Sequence, residues 1–348
     1  MIDHSSIEFP ERQRVHTASK IKSEEYFVID SNKCGSQLDL AILGQSGNSE
    51  IDDILPALIR EKIKGEPANI ELTVLALKEL KTSSPNMAAY IDDVISQLSV
   101  YARFSINKPL KLLPTLLVGA PGTGKTYIAA KIAATIGIWH GNISLSLATE
   151  SFILSGCPRG YSTATPGDIA QRMAKSDCIN PLLILDELDK ASFYPGSRPS
   201  ITGPLLQVLE ADTASQFEDA CLKCELDVSH VSWLATANDI SLVPEPLLSR
   251  FHIIHIQETD HEEKLMQVQR IASSVTEDME LSKYFTVEVA RNTFEKYSHL
   301  SIRAWKIKLQ LAISLKASNS LNGEHLVVRE EDMRRLVHEK KTTRIGFV

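Results

Sequence analysis

The 348-residue sequence predicts an α/β fold: a parallel sheet wrapped by helices, followed by a smaller helical unit. Three observations carry this expectation. From Thr115 onward, short apolar runs alternate with helical patterns. A glycine-rich loop, Gly119-Ala120-Pro121-Gly122-Thr123-Gly124-Lys125-Thr126, joins the first of those runs to a helix. A second run, Leu182 to Leu185, ends in Asp186-Glu187. At 348 residues the chain is long enough for two domains, one with a sizeable core.

In chain order, residues 1–66 form an N-terminal region whose structure the pattern does not define, apart from a short helical stretch near Ile51 to Lys62. Residues 67–108 read as a helical segment. Ile70 to Lys81 places Leu72, Leu75, Ala76 and Leu80 on one face, and Pro85 to Arg103 does the same for Met87, Tyr90, Ile91, Val94, Ile95 and Leu98. Ser84 stands as an N-cap before Pro85 at the first helical position.

Residues 109–258 carry the α/β pattern. Leu116 to Val118 is a buried strand, Tyr127 to Ile136 a helix, Ile143 to Leu147 a strand, Val231 to Asn238 a strand, and Phe251 to Ile256 the last. Residues 259–348 contain helical patterns at Asp260 to Ser273 after a Thr259 cap, Val287 to Tyr297, Ser301 to Leu315 and Glu330 to Lys340.

The glycine-rich loop fits G-x-x-x-x-G-K-[ST] between a strand and a helix. Glycines let the backbone fold into a concave nest of N–H groups, and the next helix adds its positive end, so the pattern points to a nucleoside triphosphate. Gly119, Pro121, Gly122, Thr123, Gly124 and Tyr127 would surround the nucleotide, Lys125 would reach its β- and γ-phosphates, and Thr126 would hold Mg²⁺. Chance produces the pattern in roughly one chain per hundred of this length, so its setting between strand and helix matters. The alternative reading, a glycine turn with no ligand, is disfavoured by that setting.

Asp186 and Glu187 close an apolar strand sixty residues later. Phosphoryl transfer needs one carboxylate on the magnesium side and another to polarise the attacking water, both at the carboxyl edge of the sheet. Asp186 is assigned the first role and Glu187 the second. Taken alone, an acid pair after an apolar run would more often start a solvated helix; the glycine loop at this distance reverses that reading.

Composition narrows the partners. The net charge of −7 gives no global attraction to nucleic acid or anionic lipid. No apolar run is long enough to span a membrane and the first thirty residues lack a basic apolar leader, so a cytoplasmic location is expected. Five cysteines suggest reduced thiols, and Cys221-Leu222-Lys223-Cys224 lacks the second ligand pair of a zinc site.

With these phrases in place, the stretch from about Leu113 to His338 resembles the AAA+ ATPases, and within them the ATPase module of the Lon family. The matching phrases are the glycine-rich loop, Cys157 to Tyr161 followed by Ala164 to Gly167, Leu182 to Lys190, Pro204 to Leu209, Leu234 to Asn238, and Pro246 to Phe251. The resemblance implies a P-loop sheet domain with a helical lid. It also implies roles for single residues: Asn238 as the sensor that aligns the lytic water with Glu187, Arg250 as a finger reaching the γ-phosphate of a neighbouring subunit, and Arg303 as a second sensor from the lid. A finger acting in trans implies a ring, a hexamer as in the family.

Tyr161 matches the family's aromatic pore residue, which grips a polypeptide client. Ser162 and Thr163 follow it where the family has a branched apolar residue and glycine, which puts grip in doubt. Phe193, Tyr194 and Arg198 lie near the family's second pore loop, as substrate contacts or as hinge residues. Lon's Ser-Lys peptidase dyad has no counterpart in these residues, so no intrinsic peptidase activity is expected.

The function so implied is Mg²⁺-dependent ATP hydrolysis coupled to remodelling of a protein client. Two alternatives stay open: an unfoldase serving a separate peptidase, and a DNA-associated switch of the clamp-loader or defence kind. Only the basic stretch Arg329 to Arg344 permits the second, weakly, since it reads first as a solvated helix and tail.

Overall fold

The computed structural model describes residues 25–29, 47–104, 106–146, 151–161, 164–191, 193, 200–321 and 323–334. Helices α1 (Ser49–Leu58), α2 (Ile70–Ser83) and α3 (Ala88–Arg103) precede the sheet. Strands β1 (Thr115–Val118), β2 (His140–Ser144) and β3 (Leu182–Asp186) alternate with helices α4 (Lys125–Ile136) and α5 (Asp168–Lys175). After β3 come α6 (Thr202–Leu209), the hairpin β4 (Phe217–Asp219) and β5 (Cys224–Leu226), then β6 (Ser232–Ala237) and β7 (His252–His255).

The central sheet has the order β2-β3-β6-β1-β7, and every pairing in it is parallel. Its three inner strands, β3, β6 and β1, are buried on both faces, as parallel strands covered by helices must be, while the edge strands β2 and β7 are partly exposed. Leu183 and Leu185 of β3, with Trp233 and Ala235 of β6, face a core shared with α1, α5 and α6. Leu182, Ile184 and Leu234 face the opposite core, with α2, α3 and α4. This two-residue alternation explains why the sequence shows continuous apolar runs here rather than a polar–apolar alternation.

Helix α1 is part of the sheet domain's core: Ile51, Leu55 and Leu58 are fully buried there, beside Val28 and Ile29. Helix α2 turns differently from the expected face. Thr73 and Leu77 are its buried residues, while Leu72 and Leu75 are exposed. Its packing against α3 and α4 selects a stripe through Thr73 and Leu77 that differs from the face chosen by periodicity. Ser84 makes no side-chain cap; Pro85–Met87 is a 3₁₀ turn leading into α3.

The C-terminal unit has its own core, built on α7 (His261–Asp278), α8 (Arg291–Tyr297), α9 (Ile302–Ala317) and α10 (Glu330–Arg334). Asp260, not Thr259, caps α7, in a reciprocal capping box with Glu263. The unit is not purely helical. Thr286–Val289 forms β8, pairing in parallel with β9 (His325–Val328), so the predicted helix from Val287 starts only at Arg291. The β-branched stretch Thr286-Val287-Glu288-Val289 finds a partner strand forty residues away, which a local pattern cannot register.

Candidate functional site

Parallel strands bring their carboxyl ends to one edge, and there the predicted residues meet. Val118 pairs with Ala237, and Leu185 with Ala235, so the residues after β1, β3 and β6 lie side by side. The glycine loop leaves β1 through Gly119, where an added Cβ would sit 2.6 Å from the Ile256 carbonyl oxygen. Gly122 and Gly124 have φ of +82° and +90°, backbone that side-chain-bearing residues rarely adopt. Helix α4 then begins at Lys125.

Lys125 is buried and its Nζ donates to the carbonyls of Gly119 at 2.7 Å and Ala120 at 3.1 Å, and to Asn238 Oδ1 at 3.1 Å. Burial lowers its pKa, opposed by the charges of Asp189, Asp186 and Glu187. Thr126 Oγ1 donates to Asp186 Oδ1 at 2.9 Å. Two direct bonds thus cross the sheet edge, one from Lys125 to Asn238 after β6 and one from Thr126 to Asp186 at the end of β3.

Glu187 has φ of +60°, an uncommon conformation for a residue with a side chain, and its carboxylate is ion-paired with Lys190 one turn on. The Lys190 pKa is raised by the hydrogen bond with Glu187. Asp189 is buried; its Oδ2 accepts the Asp239 N–H at 3.3 Å, while Oδ1 has no partner.

Thr236 was missed by the sequence reading. Its buried hydroxyl donates to Asp186 Oδ1 at 2.6 Å and accepts the Glu187 N–H at 3.0 Å. The available signal was spacing: in a strand, Thr236 and Asn238 point the same way.

Other predicted residues stand apart. Arg250 contacts neither the glycine loop nor the acids: its guanidinium pairs with Glu210 at 2.6 Å and donates to the Pro246 carbonyl at 2.6 Å. Arg303 is exposed in the first turn of α9, whose cap Ser301 lies close to Gly122; a Cβ on that glycine would be 3.6 Å from Ser301 Cβ. The C-terminal unit therefore approaches the glycine loop beside Arg303. Tyr127 is exposed, with Lys131 over its ring.

Tyr161 is 59% exposed, its ring tilted against Phe152. The loop that bears it is anchored after Tyr161, at Ala164 and Gly167. Buried Asp219 accepts N–H bonds from Gly167, Cys221 and Leu222, and Asn48 at the start of α1 donates to the Ala164 carbonyl at 2.9 Å. Burial pushes the Asp219 carboxyl up to about 6, against the pull of those three donors. Ser162, Thr163, Tyr194 and Arg198 lie outside the described residues, while Phe193 packs against the core. Cys157, Cys178 and Cys221 are free thiols, but Cys224 is disulfide-bonded, contrary to the expectation of unpaired thiols throughout.

The oxygen donors Thr126 and Asp186 suit Mg²⁺, which is usually held by one or two protein groups together with substrate phosphates. No group of three or more His, Cys, Asp or Glu able to hold a metal occurs among the described residues, so an ion here would share the nucleotide's oxygens.

Residues 115–258 match the model of the ATPase family associated with various cellular activities. This segment is an AAA domain. Its similarity to Lon proteases is substantial: the chain is 38% identical over 174 residues to that of Mesomycoplasma hyopneumoniae, and 40% over 150 residues to that of Methanosarcina barkeri. Those matches cover 49% and 43% of this chain, but 20% and 18% of the relatives. Similarity to the Lon protease of Mycoplasma pneumoniae is 30% over 250 residues, covering 67% of this chain and 31% of the relative. The chain spans about a fifth to a third of the length of these relatives. The AAA domain accounts for the parallel sheet and the glycine loop, and the match ends at residue 258, just before α7. No helix among the described residues is long and apolar enough to cross a membrane.

Proposed function

We propose that this chain hydrolyses Mg·ATP as one subunit of a ring and uses the cycle to remodel a protein client. The supporting observation is the two bonded pairs Lys125–Asn238 and Thr126–Asp186 at one sheet edge, with Glu187 next after Asp186 in the chain. In this reading, Lys125 leaves the loop carbonyls for the β- and γ-phosphates. Thr126 and Asp186 hold Mg²⁺, which supplies charge neutralisation on the phosphate oxygens. Glu187, released from Lys190, accepts a proton from the attacking water, and Asn238 orients that water.

Arg250 serves a neighbouring subunit, which fits its position away from its own glycine loop. Arg303 closes on the nucleotide from the lid. Tyr161, exposed on a loop that is held at its base, is the proposed client contact, and a hexamer is the proposed assembly. Peptide hydrolysis is not part of the activity proposed for these residues.

The test is steady-state ATPase activity across protein concentration, with light-scattering mass on the same samples. Turnover should rise with assembly. Glu187→Gln and Arg250→Ala should both abolish it, with Glu187→Gln still binding ATP. A wild type that stays monomeric without turnover in every nucleotide condition overturns the reading. Steeply salt-dependent DNA binding would favour the switch alternative, although Arg334 is already paired with Glu330. Recovery of a peptidase bound to the ring would favour the unfoldase alternative.

A further inference from the structure

We infer that Thr236 is a positioning residue that sets both acids of the site for a magnesium–nucleotide complex, an inference that rests on the ATPase reading above. A hydroxyl has one proton to give and lone pairs to receive, and Thr236 uses the first on Asp186 and the second on Glu187. It donates to Asp186 Oδ1 at 2.6 Å and accepts the backbone N–H of Glu187 at 3.0 Å. One buried group thereby couples the orientation of the Asp186 carboxylate to the backbone from which the Glu187 side chain departs.

Two features argue that this hydroxyl does more than fill the core. First, a buried β-branched position in a central strand is filled equally well by valine, so packing alone does not call for an oxygen here. Second, what the oxygen holds is strained or shared. Glu187 sits at φ +60°, which needs local support, and Asp186 Oδ1 also receives Thr126 at 2.9 Å. Both bonds to Asp186 land on Oδ1 and neither on Oδ2, so the carboxylate is fixed at one oxygen with the other left for the ion. Thr236 is the donor in that pair with no proposed ligand of its own. Outer groups that orient metal-binding carboxylates contribute in this way.

The experiment compares wild type, Thr236→Val and Thr236→Ser, the first keeping the shape and the second the hydroxyl. Binding of a fluorescent ATP analogue is measured in EDTA and in Mg²⁺, followed by steady-state hydrolysis. For Thr236→Val, binding in EDTA should stay within about twofold of wild type, while the affinity gained on adding Mg²⁺ and kcat should each fall about 10- to 100-fold. Thr236→Ser should recover most of both. A Val variant equal to wild type in Mg²⁺ gain and in kcat, or a Ser variant as impaired as Val, overturns the inference. If melting curves show that Thr236→Val does not fold, Thr236→Ala carries the same comparison with the same two outcomes. A wild type that binds no nucleotide in either condition overturns the ATPase reading itself, and does so before any variant is made.

Discussion

The Glu210 carboxylate lies 2.6 Å from the Arg250 guanidinium, tying the proposed trans-acting finger to its own subunit. The Arg250 Nε is buried without a partner, so the side chain is held by its two terminal nitrogens. A γ-phosphate from a neighbour has to compete with Glu210 for the same cation. Glu210→Gln should therefore raise ATPase activity about threefold at protein concentrations below full assembly, a shift of under 1 kcal/mol, typical of a partly exposed pair. A concentration series of specific activity for both proteins checks this; a parallel loss of activity at every concentration would mean that Glu210 orients the finger instead.

Lys190 holds the carboxylate that is proposed to act as base. Because that pair is solvent-facing, Lys190→Met should leave the melting temperature nearly unchanged and keep kcat within about fivefold of wild type, whereas Glu187→Gln should lower kcat by about 10² or more. The contrast between the two variants in single-turnover hydrolysis separates an accessory partner from the base itself.

Asp219 makes a pH prediction with a definite sign. Its folded pKa of about 6 stands above the ordinary 3.8, chiefly through burial, so the folded state binds its proton more tightly than the unfolded chain does. The stability this contributes is present in full below about pH 4 and is lost as pH rises through about 6, up to about 3 kcal/mol for a shift of this size. Asp239 and Glu330, depressed by their hydrogen bonds, work the other way and lose their contribution as pH falls. Comparing urea midpoints of wild type and Asp219→Asn between pH 4 and 7 isolates the Asp219 share: the variant should lack that slope.

Arg303 stands exposed in the turn of α9 that meets the glycine loop through Ser301 and Gly122. Arg303→Ala should raise KM for ATP about tenfold without changing the melting temperature, since a surface arginine adds little to folding. Trp305, two residues on and fully buried in the core of the C-terminal unit, supplies the control: Trp305→Ala should cost about 3–5 kcal/mol and loosen that unit as a whole.

Much of the site was legible because its chemistry is local in sequence. The glycine loop runs over eight consecutive residues, and its nest depends on backbone freedom that glycine alone supplies. Asp186 and Glu187 announce themselves as acids closing an apolar run, and Asn238 as a polar residue closing another. The α/β alternation was equally visible, because buried parallel strands and their covering helices carry different apolar periods. These are properties that short stretches of chain dictate by themselves.

What the sequence by itself determined, then, is the alternation of strands and helices in the central sheet and the positions of the glycine loop, the acid pair and Asn238 at its edge. Tertiary structure alone decided which residues they touch. Thr236 matters only because β6 lies beside β3 in a register that sets Ala235 opposite Leu185; Glu210 meets Arg250 across forty residues; Asn48 reaches the loop of Tyr161 across more than a hundred. The same holds for the buried stripe of α2 and for the pairing of β8 with β9. Local patterns record the conformation a segment prefers, whereas long-range hydrogen bonds and ion pairs depend on packing that brings distant segments within about 3 Å of each other, and that distance is set by the whole core at once.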